Sequence, residues 1–184
     1  LVVACAALAS DLRAVLAEQG LADAVEVRYL PAPLHNRPDR IVPALRDALA
    51  DVEPDRTVLT GYADCGTGGQ LHDLVTDLSA ARSGAVSTLP GDHCYEFFAG
   101  GDRFAALHAA EPGTFYLTDF LARHFEALVW QGLGLDRHPE LRDAYFGNYR
   151  RVGLLSQTDD PAVLDAGERA AVQLGLEFEH VHVA

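Results

Sequence analysis

Short apolar runs alternate with amphipathic segments along the whole chain, and the periodicity switches between 2 and 3.6 as it goes. Leu1 to Ala7 reads as a buried strand, and Ser10 is placed to cap a helix from Asp11 to Gln19 that Gly20 closes. Val25 to Leu30 alternates apolar and polar residues as a second strand, and Asp39 to Val52 reads as a helix with Leu45, Leu49 and Val52 on its buried face. A third strand, Thr57 to Tyr62, runs into a glycine-rich loop and a helix from Gln70 to Leu78. Ala85 to Leu89 is a fourth strand, followed by a helix through about Ala99, a break at Gly100-Gly101, and a second helical piece from Asp102 to Ala110. Pro112-Gly113 opens a fifth strand, Thr114 to Thr118, with a helix from Asp119 through Val129 behind it. An aromatic-rich helical stretch spans Pro139 to Tyr149, and a sixth strand spans Val152 to Ser156. Asp159-Asp160-Pro161 caps a last helix, Ala162 to Leu174, and a final strand runs Glu177 to Val183.

Strands that alternate with helices predict an α/β chain with a mostly parallel sheet covered by helices on both faces. With 184 residues and no composition break resembling a linker, the expectation is a single α/β domain over 1–184, a flavodoxin-like three-layer sandwich. Taking the strand order as 2-1-3-4-5, strands one, three and four are neighbours and the ligand crevice lies outside their C-terminal ends.

Composition narrows the chemistry. The formal net charge of -13 argues against a nucleic-acid partner and against docking on an anionic membrane, since both need clustered basic residues. No apolar run reaches transmembrane length. The chain contains no lysine. That removes a Schiff-base lysine and the lysine of a P-loop, and no G-x-S-x-G elbow is present. Three well-separated cysteines do not make a disulfide framework; the odd number fits a reducing compartment, hence a cytoplasmic expectation, and a metal or redox role.

Those cysteines carry the main signal. Cys5, Cys65 and Cys94 each stand just past a predicted strand, two of them in loops with glycine, aspartate or histidine. Adjacent parallel strands lie about 4.8 Å apart, so thiols at three neighbouring strand ends could converge within roughly 5–10 Å. They are the expected metal ligands. A lone cysteine is more often a small core hydrophobe, but loops rich in Gly and Asp are poor places to bury apolar sulfur. Gly66, Gly68 and Gly69 form a turn whose amides could hold a cofactor or a carboxylate. His35, held in the proline-rich loop PAPLHNRP, and His93, beside Cys94, could ligate or shuttle protons, and Asp119 at the end of strand five is a third candidate catalytic residue. Each also has an ordinary reading, a bond to a loop carbonyl for the histidines and a helix cap for the aspartate.

The ordered set VVACAALASDL, PAPLHNRP, GYADCGTGG, HCYEFFAG and PGTFYLTDF resembles a prokaryotic family known only as a domain of unknown function, met in methylotrophic archaea and bacteria near corrinoid methyltransferases. The resemblance covers about Leu1 to Phe120 and implies cysteines at the positions of Cys5, Cys65 and Cys94, hence a shared site. It also points to a corrinoid methyltransferase system as a partner. This chain departs from the pattern at His93, where aspartate is commoner, and at TDF, which replaces a glycine-tryptophan step.

The leading expectation is a metal-binding protein that holds an iron–sulfur cluster through three cysteines, with an iron left open for a small-molecule substrate in a lyase, desulfurase or partner-activating role. A zinc site of three cysteines, or of three cysteines and a histidine, is the alternative cofactor. A second class is a cofactor-independent racemase-like enzyme in which Cys5 and Cys65 move a proton beside a substrate carboxylate. A third is a non-enzymatic small-molecule sensor built on the glycine loop.

Overall fold

The computed structural model describes residues 1–183. It is an α/β fold with parallel sheets flanked by helices, and it divides into two compact units, Leu1–Cys94 and Tyr95–Ala184.

The first unit carries β1 (Val2–Cys5), α1 (Ala9–Glu18), β2 (Val27–Leu30), α2 (Ile41–Leu49), β3 (Val58–Gly61), α3 (Gln70–Ala81) and β4 (Val86–Thr88). Its sheet has the order β2-β1-β3-β4, all parallel. Stepping from β1 to β2 runs opposite to the later steps, so right-handed crossovers put α1 on one face and α2 and α3 on the other. The core lies under α2 and α3, where Leu45 and Leu74 are fully buried against Val3 and Val58. The helix after β1 does not start at a Ser10 cap. A 3-10 turn, Ala6–Leu8, precedes it, and the Cys5 thiol accepts the Ala7 N–H at 3.4 Å, so the chain enters α1 before Ser10 is reached.

The second unit contains α4 (Tyr95–Ala99), α5 (Gly101–Ala110), β5 (Thr114–Thr118), α6 (Asp119–Arg123), α7 (Arg142–Phe146), β6 (Arg151–Ser156), α8 (Pro161–Leu174) and β7 (Glu177–His182). Its parallel sheet has the order β5-β6-β7. Both crossovers here step the same way, so α6 and α8 share a face and pack together. Gly167 lets α8 sit close on that face, because a Cβ there would lie 3.0 Å from Phe178 and 3.1 Å from Leu154. On the other face Tyr95, Phe104 and Tyr116 form an aromatic cluster, with ring centroids 5.0 to 5.7 Å apart.

The sheets are therefore two, where the assumed strand order 2-1-3-4-5 has one. β4 is only three residues long and alternates half-buried, exposed, half-buried, which is the pattern of an edge strand. β5 is buried at four of its five positions and pairs along its whole length with β6. The helix predicted from Asp119 through Val129 is interrupted at His124 and resumes as a π-helical turn, Glu126–Trp130. No helix among the described residues is long and apolar enough to cross a membrane.

The close approach of β1 and β3 determines where Cys5 stands against the end of β3. A Cβ on Gly61 would stand 2.6 Å from the Ala4 Cβ and 3.2 Å from its Cα, so only glycine allows these strands their spacing beside Cys5. Gly61→Ala is expected to destabilise the protein by about 1–3 kcal/mol, the range for overpacking a filled core, whereas Gly20→Ala, with open space around it, costs only its left-handed backbone strain. Paired urea denaturation curves check the contrast.

Candidate functional site

Cys5 is the last residue of β1, at the C-terminal edge of the first sheet, where it pairs with Leu30 of β2. Four residues past the end of β3, Cys65 adopts φ 50°, in the left-handed region, and it alone does so among the described non-glycine residues. That conformation costs a residue with a Cβ about 1 kcal/mol. A loop with glycine at 66, 68 and 69 nonetheless places a cysteine there. Two backbone bonds pull the loop after β4 against it, from Asp64 N–H to the Gly91 carbonyl (3.1 Å) and from Cys65 N–H to the Asp92 carbonyl (2.9 Å). The Cys65 thiol in turn accepts the backbone N–H of Cys94, which brings the root of the Cys94 side chain beside it. Cys5 and Cys65 feel each other electrostatically. The structure thus brings the three cysteines to one edge of one unit, each half-buried and none in a disulfide.

Asp64 fastens this loop. Its carboxylate accepts from the Thr67 hydroxyl (2.6 Å), Gly69 N–H (2.8 Å) and Gly68 N–H (3.1 Å), and Gly66 N–H bonds it as well. The Thr67 hydroxyl also receives the Leu71 N–H at the start of α3. These bonds, the Thr67 hydroxyl first, hold the Asp64 carboxyl below its ordinary pKa. The same bonds bear on Gly66, Gly68 and Gly69 as cofactor-binding residues: their amides already serve an internal carboxylate. A substrate carboxylate or phosphate would have to displace Asp64 to use them.

Burial pushes the Cys5 thiol up, and it pushes Cys65 up to about 11, with the neighbouring Cys5 and Asp64 adding to the rise. Both sulfurs are desolvated, and the chain has no lysine to help ionise them. Tyr62, the residue after β3, is buried beside them at 3 % exposure, and its hydroxyl has no hydrogen-bond partner.

His35 sits in a 3-10 turn, Ala32–Asn36, with an exposed edge. Desolvation by the surrounding protein lowers its pKa, and the nearby His93 lowers it further, so the two histidines lie on the same side of the unit. Asp119 belongs to the second unit. There Thr118, not Asp119, caps α6 through its hydroxyl, while the Asp119 carboxylate accepts Gln157 N–H (2.9 Å) and the Thr158 hydroxyl (2.5 Å). It ties the end of β5 to the loop after β6. Beside that loop, buried Ser156 bonds His180 Nε2 (2.7 Å) and His182 Nδ1 (3.2 Å), a link that the alternation of the two histidines along β7 does not reveal.

Residues 29–184 match the family described as a protein of unknown function, DUF1638. The chain belongs to that family. No curated protein and no solved structure matches it. The DUF1638 match runs from residue 29 to residue 184 and includes His35, Cys65, Cys94 and Asp119. Cys5 lies ahead of the matched stretch. Among the described residues, no three side chains of His, Cys, Asp or Glu form a group that could hold a metal ion as they stand.

The two kinds of shifted group give opposite pH signatures in the metal-free DUF1638 protein. Asp64 has a lowered folded pKa, so its stabilisation is present above the unfolded value of 3.8 and is lost as pH falls. Cys5 and Cys65 have raised folded pKa values, so stability is full below pH 9 and declines as pH rises toward 11. Thermal unfolding across pH 3–11 should show both flanks. Asp64→Ala should remove part of the acid flank and cost about 1–2 kcal/mol at pH 7, because the Thr67 hydroxyl and three glycine amides lose their acceptor. Cys65→Ala should flatten the alkaline flank.

Proposed function

We propose that this protein binds a metal centre at the edge of its first sheet, with Cys5, Cys65 and Cys94 as ligands and an iron–sulfur cluster as the group held. The observation that supports the proposal is the placing of three cysteines on one edge of the first sheet and its loops, one of them on a strained left-handed backbone. Thiols raised by desolvation are poor bases and poor nucleophiles. A metal ion replaces their protons and provides the missing charge, so the donor set suits soft-metal coordination. Bringing the sulfurs onto one centre takes side-chain rotation, which the half-buried setting of all three permits.

A cluster held by three protein ligands leaves one iron open, where it can act as a Lewis acid or accept sulfur. The chain's own contributions are then distinct. Cys5 is fixed by its place at the end of β1, Cys65 by the Asp64 clamp, and Cys94 by the backbone bond to Cys65. His35 and His93 are the proton-handling groups for a small-molecule substrate at the open position. The reading carries with it a cytoplasmic setting, where thiols stay reduced, and a lyase, desulfurase or partner-activating role. The resemblance to a family met near corrinoid methyltransferases makes such a system the partner to examine.

The lowered pKa of His35 favours one second reading, a zinc site of three cysteines and a histidine, since unprotonated imidazole is the ligating form. The two-thiol racemase fares less well. Burial raises both thiols, and the glycine amides that would hold the substrate carboxylate are engaged by Asp64.

Metal and acid-labile sulfide analysis of protein purified without oxygen tests the proposal. Iron with matching sulfide and brown colour is the expected result, and Cys5→Ala, Cys65→Ala and Cys94→Ala should each lose most of the iron while remaining folded. Zinc without sulfide would replace the cluster by the zinc site. Protein with neither metal, and alanine variants no different from it, would overturn both.

A further inference from the structure

Ser156, the last residue of β6, is 2 % exposed, and its hydroxyl meets two ring nitrogens of the neighbouring strand, His180 Nε2 at 2.7 Å and His182 Nδ1 at 3.2 Å. β7 pairs with β6 so that Leu154 faces His180 and Ser156 faces His182, which puts the three polar side chains on one face. The backbone around them is fixed. Val183 N–H donates to the Ser156 carbonyl and Arg103 donates to the His182 carbonyl, both at 2.9 Å. The Asp119 carboxylate holds the residues after Ser156 by accepting from Gln157 N–H and the Thr158 hydroxyl. Both histidines are exposed, at the C-terminal edge of a parallel sheet, where ligands of such sheets bind.

A serine hydroxyl has one hydrogen to donate, and a neutral imidazole has one N–H. Ser156 can give its hydrogen to one ring only, so the other ring must donate for both bonds to form. The shorter bond fits the hydroxyl donating to His180 Nε2. The longer one fits donation from His182 Nδ1–H, which also lies 3.6 Å from the Asp159 carboxylate. That assignment leaves His180 with an Nδ1–H and His182 with a bare Nε2, a donor and an acceptor on neighbouring exposed rings. We propose that His180 and His182 are a linked acid–base pair that enolises a small carbonyl compound, with Ser156 as the positioning residue that passes a proton between the rings. His182 Nε2 takes a proton from the carbon beside the carbonyl, and the electron pair of that C–H bond becomes the new C=C bond. His180 Nδ1–H gives its proton to the carbonyl oxygen, which keeps the displaced π pair. Between the rings, the His182 Nδ1 proton passes to Ser156 Oγ as the Ser156 proton passes to His180 Nε2. Both rings end neutral and the step balances without a co-reactant. The pair uses none of the cysteines and stands whether or not the first unit binds a metal.

Hydrogen–deuterium exchange at carbon tests this, with pyruvate and dihydroxyacetone as probes in D2O and their C–H signals followed by proton NMR. Wild-type protein should speed exchange above buffer in at least one of the two. His180→Gln and His182→Gln should each slow that exchange by about a hundredfold or more, the usual worth of a general acid or base, while staying folded because both side chains are exposed. Ser156→Ala should lose exchange per folded molecule and Ser156→Thr should keep it. A serine that only packs would lower the melting temperature of Ser156→Ala and leave exchange per folded molecule unchanged, which would overturn its role. Nitrogen-15 NMR of the neutral rings should show the same tautomer at both, Nδ1–H by the assignment above; opposite tautomers would overturn the serine link. No exchange above buffer with either probe, or exchange unchanged in both histidine variants, would overturn the acid–base pair itself.

Discussion

One carboxylate holds the cysteine loop in shape. Asp64 gathers the Thr67 hydroxyl and the amides of Gly66, Gly68 and Gly69, and through Thr67 it joins the loop to the first turn of α3. Left to local preference, a Cys-Gly-Thr-Gly-Gly segment would sample many conformations, since three glycines cost much entropy to fix. Charge-assisted bonds to Asp64 are strong enough to select one. That choice carries Cys65 into the left-handed region and turns its thiol toward the Cys94 amide. The glycines are present because the amides must approach a carboxylate closely, and that carboxylate is the protein's own.

The site built this way is unbalanced. Burial withholds charge from Cys5 and Cys65, and a phenol is enclosed beside them without an acceptor. Each feature alone is a small penalty of the kind a stable fold tolerates. Together, at the C-terminal edge of a parallel sheet, they are the features from which the proposed metal site is argued. Strain and unsatisfied groups concentrate where a protein is arranged for a ligand.

Much of the fold was legible because its punctuation is strong. Pro112-Gly113 fixes the start of β5, Asp160 caps α8 by accepting the Ala162 N–H, and Gly175 ends that helix in the left-handed region. The α/β class and the strand-end placement of Cys5 follow from periodicity alone. The division into two sheets does not, because β4 reads as five apolar-leaning residues yet pairs over only three, as an edge. In the site, the cysteines announce themselves by residue type. Tyr62 reads simply as the last residue of a strand, and its relation to Cys5 exists only through the register of β1 on β3. Asp64 is visible as a polar neighbour of Cys65, but its commitment to three glycine amides depends on the path of the loop. Asp119 shows the converse: a strand-end aspartate looks catalytic in sequence, while its oxygens are occupied by Gln157 and Thr158.

X-ray absorption at the metal edge of protein purified without oxygen tests the central claim most directly, because it reads the atoms bound to the metal. The expected shell is sulfur at about 2.3 Å, the usual metal–thiolate distance, with most of that metal signal lost in each of the three single cysteine variants. A shell of only oxygen and nitrogen, or one unchanged when Cys5, Cys65 or Cys94 is replaced, would contradict it.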